Sequence, residues 1–236
     1  MRLQLLLVVS LALSGCVSSY PVPSTRPTAA TAAPEQPAPV AVENFLAVVS
    51  RVKPVAERYC RERHVAQNCN FRIVVDDRPG QPPNAFQTVD SFNRPVIGFT
   101  VALIAGARNQ DELAFVLGHE AAHHVEGHIP KRQDQAMSSA ILAGILAQAG
   151  GLSPEEVKEA QSLGAQVGAR SYSKDFELQA DALGAEIALM AGYDPVRGIA
   201  FFDRLPDPGD KFLGSHPPNA ARKATVLATV RRLTGS

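Results

Sequence analysis

The sequence predicts an α+β domain, mostly helical with a small mixed β-sheet. Two observations carry this. Residues 71–75 alternate in the manner of a half-buried strand, and 85–89 and 95–99 read as two more strands. From Val101 onward apolar residues instead recur at helical spacing. In chain order, residues 42–63 read as an amphipathic helix interrupted near Pro54, where proline removes a backbone donor. The three strands follow. Asn109 then looks like an N-cap, with Glu112 in the reciprocal capping position. Leu113, Val116 and Leu117 continue as an apolar stripe. This helix is expected to run over 110–127, ended by Gly127 and the Ile129-Pro130 step. Residues 137–148 are apolar and rich in Ala and Gly, too short to span a bilayer, and read as a buried helix. A last helix ends near Arg232.

The chemistry concentrates in His119-Glu120-Ala121-Ala122-His123. Positions i and i+4 of a helix lie on one side, one turn apart. Both imidazoles can therefore share one metal ion, and Glu120 lies beside them within reach of a bound water. Two neutral imidazoles and a nearby carboxylate suit zinc-assisted peptide hydrolysis.

A third ligand is needed. A metzincin would continue with glycine at 126 and histidine at 129, but those positions hold Glu126 and Ile129. Gly127 and His128 are each one residue out of register, a rotation of about 100° on a helix. The alternative is Glu177-Leu178-Gln179-Ala180-Asp181, whose acidic residues again share a face. Glu177 is the expected zinc ligand. Asp181 is expected to accept a hydrogen bond from the second nitrogen of a ligand histidine and fix its tautomer. Against this stands the plain reading of two solvated helix charges.

Further segments extend the pattern: Pro83-Asn84-Ala85-Phe86, Asp111-Glu112-Leu113-Ala114, Ala191-Gly192-Tyr193-Asp194-Pro195, and Ser215-His216-Pro217-Pro218 with Arg222. Together with the two motifs above, the sequence resembles the zinc metallopeptidases that include the CAAX prenyl endopeptidases, HtpX and the mitochondrial protease Oma. It is most similar to their periplasmic lipoprotein branch, the BepA-like proteases. The likeness covers about residues 42–233. It implies a gluzincin-type zincin with one zinc ion per chain, held by His119, His123 and Glu177, with Glu120 as catalytic base. That branch carries a helical-repeat domain after the protease; this sequence ends at Ser236, and functions of such repeats are not expected from the residues read here. The resemblance also implies that 137–148 borders the active site and moves as part of a lid.

The N-terminus bears on location. Met1-Arg2 and an apolar run over 3–13 precede Leu13-Ser14-Gly15-Cys16, which looks like a bacterial lipobox. Residues 1–15 read as a signal peptide, with Cys16 lipidated and anchoring the protein. Val17 follows in place of aspartate, which by resemblance to Gram-negative sorting rules favours the outer membrane, facing the periplasm. Residues 16–41, rich in Pro, Ala, Ser and Thr, read as a disordered tether. Residues 42–236 are enough for one well-buried domain. The 23 basic residues balance 23 acidic ones with no basic cluster, which argues against nucleic acid as a partner. In an oxidising periplasm Cys60 and Cys69 are expected to form a disulfide, two free thiols being the alternative.

The expected reaction is hydrolysis of peptide bonds in unfolded or misassembled envelope proteins, with outer-membrane assembly machinery as a candidate partner. Asn84, Ala85 and Phe86 are expected to lie on an edge strand that binds an extended substrate by backbone pairing, unless they form an ordinary sheet segment. Arg222 is assigned to the substrate site by resemblance. His216 precedes a proline at a helix entrance. The family places it near the zinc, as a latch on the water position or an oxyanion donor, while an ordinary loop histidine stays open. A zinc-stabilised binding or chaperone-like lipoprotein with little turnover is the second class of function.

Overall fold

A computed structural model describes residues 37–63, 68–171, 173–204, 207 and 217–235. Cys16, the expected signal peptide and His216 lie outside these residues. Eight α-helices, one 3-10 helix and three strands are present among them.

Helix α1, Ala38–Arg63, is unbroken. The expected interruption at Pro54 does not occur. Pro54 faces solvent, where water can take the carbonyl it leaves unpaired, and Val48, Val52, Val55, Ala56 and Cys60 hold the helix to the core on both sides of it. That burial outweighs the cost of about 3 kcal/mol of an internal proline. The helix also reaches back into the expected tether, where Ala41 is buried. At its far end Cys60 and Cys69 form the expected disulfide, with Cα atoms 5.6 Å apart.

Strands β1 (Arg72–Asp76), β2 (Ala85–Val89) and β3 (Pro95–Thr100) follow within a residue of expectation. Their order is β1-β3-β2, parallel between β1 and β3 and antiparallel between β3 and β2. Strand β3, buried along most of its length, is central and β2 is an edge. Phe99 packs on Phe45 of α1 with ring centroids 5.1 Å apart. Gly98 opposes Phe86 in register, and the Phe86 ring occupies the space a side chain at 98 would need.

After the short α2 (Val101–Gly106), helix α3, Gln110–Val125, crosses the core with nearly every residue buried. The Asn109 side chain caps it by accepting from the Glu112 amide at 3.0 Å. Glu112 does not return the bond to Asn109. Its carboxylate accepts from the Arg108 amide at 2.8 Å and from both terminal nitrogens of Arg204. The nearly inaccessible carboxylate takes the partner that neutralises its charge.

Gly127, in the left-handed region at φ 66°, ends α3 and turns the chain into α4, His128–Ala149. Helix α4 pairs with α5, Pro154–Ser171, as a hairpin. The expectation of a buried helix over 137–148 is corrected here. Met137, Ile141, Leu142, Ile145 and Leu146 are exposed. Close approach to α5 is made by small residues, Ser139, Ala143 and Gly144 meeting Gln161, Gly164 and Gly168, so the large side chains point the other way. No helix among the described residues is long and apolar enough to cross a membrane. Helix α6, Ser173–Met190, lies against α3. Next come α7 (Pro195–Gly198), the 3-10 helix Ile199–Arg204 and α8, Asn219–Thr234. Phe115, Phe202 and Val226 form a second apolar cluster that holds α8 to α3.

Candidate metal centre

Helices α3 and α6 build the site between them. His119 Nε2 and His123 Nε2 lie 3.1 Å apart, as i,i+4 spacing on α3 requires. Glu177, in the first half of α6, places Oε2 at 3.5 Å from His119 Nε2 and Oε1 at 3.3 Å from His123 Nε2. All three donors can meet one ion. A tetrahedral ion with bonds of about 2.0–2.1 Å sets its ligand atoms about 3.3 Å apart. The histidine nitrogens stand close to that distance from one another, one carboxylate oxygen of Glu177 faces each ring, and two imidazoles with one carboxylate match the donor set of a catalytic zinc site.

Asp181 is completely buried one turn beyond Glu177. Its Oδ1 is 2.9 Å from His119 Nδ1, behind the ring and away from the other ligands. Arg222 of α8 grips the same carboxylate, Nε to Oδ2 at 2.7 Å and Nη2 to Oδ1 at 2.6 Å. Its Nη2 also comes within 3.6 Å of Glu177 Oε2. The guanidinium is stacked 4.2 Å from the Phe202 ring centroid. Burial pushes the His119 pKa down, but the hydrogen bonds to Asp181 and Glu177 outweigh it and lift it to about 10 in the metal-free protein. Asp181, despite burial, is held below its ordinary range by Arg222 and His119.

Glu120 points into the same cavity without joining the ligand group. Burial raises its pKa above the ordinary 4.5, with the two histidines opposing. The cavity, about 640 Å³, is bounded on one side by Asn84, Ala85 and Phe86 and on another by Arg222 and Phe202. Asn84 is fixed where β2 begins, its amide donating to Thr100 Oγ1 at 2.9 Å and its carbonyl accepting from the Thr100 amide at 3.0 Å. The fold therefore brings together Glu120, the three ligands, Asp181, Arg222 and the edge-strand segment.

A family model described as Peptidase family M48 matches residues 47–230. The chain belongs to peptidase family M48. Membership identifies the His119, His123 and Glu177 group as the zinc site of an M48 metallopeptidase. Among curated M48 relatives, a protein named as a beta-barrel assembly-enhancing protease of Vibrio cholerae is 27% identical over 157 residues, covering 59% of this chain and 32% of its own length. Mitochondrial metalloendopeptidase OMA1 of Arabidopsis thaliana is 27% identical over 146 residues, covering 59% of this chain and 29% of its own. The chain thus matches about a third of the length of these relatives.

One residue at the site escaped the sequence motifs. His128 is 2% exposed and touches His123. Its lowered pKa of about 4 comes mainly from burial, with His123 adding to it, so the ring is neutral. The signal was a histidine five positions beyond the motif, across a glycine able to reverse the chain.

Proposed function

We propose that the chain is a zinc endopeptidase acting on unfolded or misassembled proteins of the bacterial envelope. The position of Glu120 carries this reading, because its carboxylate faces the cleft beside the zinc ligands and is not one of them. A site built only to bind metal has no use for it. Zinc, when bound, supplies Lewis acidity toward the scissile carbonyl and toward water. Glu120 takes the proton of the attacking water and delivers it to the leaving amine. Its raised proton affinity suits a group that must hold that proton between the two steps.

Strand β2 supports recognition of extended chains. It is one edge of the sheet, and Ala85 and Phe86 line the cavity. A substrate strand added there gains backbone hydrogen bonds with little demand on sequence. Arg222 lines the same cavity and is held there by Asp181.

The lipobox at Cys16 and the kinship with the Vibrio cholerae protein, whose name refers to β-barrel assembly, favour a lipid-anchored enzyme at the outer membrane. In that arrangement 1–15 is the signal peptide, 16 to about 37 the tether, and the remainder the peptidase. Cys16→Ser is expected to release the protein from the membrane fraction; retention there would show another attachment. His216→Ala separates its three roles: faster degradation marks a latch, a large loss marks an oxyanion donor, and no change removes it from the mechanism.

The zinc-loaded protein should cut a reduced, unfolded test protein and spare the same protein folded. Capture of the unfolded chain without cleavage would instead support the binding-module reading.

A further inference from the structure

We propose that His128 and Gln179 form a positioning relay that fixes the tautomer of His123 and thereby sets the affinity of the zinc site. The inference rests on the zinc reading above.

A histidine offers one ring nitrogen to a metal when its hydrogen is on the other, and the group behind the ring decides which. Asp181 does this for His119, at 2.9 Å from Nδ1. His123 is backed by another imidazole. Its Nδ1 lies 2.8 Å from His128 Nδ1, so one of these two atoms donates and the other accepts. The far nitrogen of His128 settles the direction. Nε2 is 3.2 Å from Gln179 Oε1, a carbonyl oxygen that only accepts. His128 Nε2 therefore carries the hydrogen, and its Nδ1 receives one from His123 Nδ1. His123 Nε2 is left with its lone pair, 3.3 Å from Glu177 Oε1 and on the metal side.

The relay is held in place. His128 is 2% exposed and stacks on Phe176 at 4.5 Å with 14° between the rings. The turn at Gly127 folds the start of α4 back onto the end of α3, which brings His128 to His123. Phe176 and Gln179 belong to α6, the helix that also supplies Glu177 and Asp181. One helix thus provides a ligand and the terminal hydrogen-bond acceptor behind each ligand histidine. If the Gln179 amide were turned, its NH2 would face His128 and the chain of donors would reverse. His123 would then carry its hydrogen on the metal-facing nitrogen. The direction of the Gln179 bond is therefore the control point.

The test is zinc affinity of purified full-length protein, by competition with a chelator. Gln179→Leu and His128→Leu are expected to weaken zinc binding about 10- to 100-fold. Gln179→Glu, which keeps an acceptor and loses the donor, is expected to keep wild-type affinity. Ring nitrogen NMR of the zinc-loaded wild type is expected to show the His123 hydrogen on Nδ1. A structural filler would not separate leucine from glutamate at 179. Wild-type affinity in Gln179→Leu, equal weakening in Gln179→Leu and Gln179→Glu, or a His123 hydrogen on Nε2 would each overturn the relay. If His128→Leu fails to fold, the two Gln179 variants decide. A wild type that binds no zinc would overturn the site itself, a result distinct from all of these.

Discussion

Gly118 of α3 and Gly184 of α6 meet backbone to backbone beside the zinc ligands. A Cβ on Gly118 would stand 2.5 Å from the Gly184 carbonyl oxygen, and one on Gly184 would stand 2.6 Å from the His119 amide nitrogen. No side chain fits between them. This contact sets how close Glu177 and Asp181 come to the histidines, because Gly118 directly precedes His119 and Gly184 lies one turn beyond Asp181.

Gly184→Ala therefore tests the crossing. Alanine favours a helix over glycine by up to about 1 kcal/mol. The clash is with backbone, however, and overpacking of this kind costs about 1–3 kcal/mol. The variant is expected to unfold at lower denaturant and to bind zinc more weakly, since α6 must move away from α3. Unchanged stability and zinc affinity would show that the crossing has room to spare.

Removing the carboxylates of α6 should give graded effects. Glu177→Ala is expected to lose zinc, because it deletes one of three ligands. Asp181→Asn keeps the shape but removes the charge between His119 and Arg222, and is expected to lower zinc affinity or activity about 10- to 100-fold. Equal zinc content in Glu177→Ala and wild type would remove Glu177 from the site.

Zinc binding should release a proton. His119 rises from an ordinary 6.5 to about 10 in the metal-free fold, so at pH 7 its ring is charged and zinc must displace that proton. Zinc affinity is therefore expected to increase with pH between 6 and 8, by about tenfold per unit for one proton. The linked stability has the opposite sign. The raised pKa stabilises the metal-free fold fully below about 6.5 and loses that contribution as pH rises through about 10. Calorimetry in buffers of different ionisation heat reads the proton directly. No proton released at pH 7 would contradict the charged ring.

The site was legible where chemistry follows local spacing. His119 and His123 share a helical face by period alone, and Glu177 and Asp181 do the same on a second helix. Asn109 marked the start of α3, and the two cysteines their bond. Contacts between distant segments were not legible. Glu112 is satisfied by Arg204, ninety-two positions away, a partner that no capping pattern reveals. Glycine at 118 and 184 reads as two weak helix positions until the crossing is seen. Pro54 looked like a break because propensity says nothing of the apolar stripe that holds α1 down. Composition made 137–148 a core helix, yet small residues make the contact and the large ones face out.

Glu120 is the residue proposed to move protons without holding metal. Glu120→Gln tests this most directly, with zinc content and degradation of an unfolded protein measured on the same purified sample. Wild-type zinc occupancy and no proteolysis above background are expected. Near wild-type degradation by the variant, or loss of its zinc, would contradict that role.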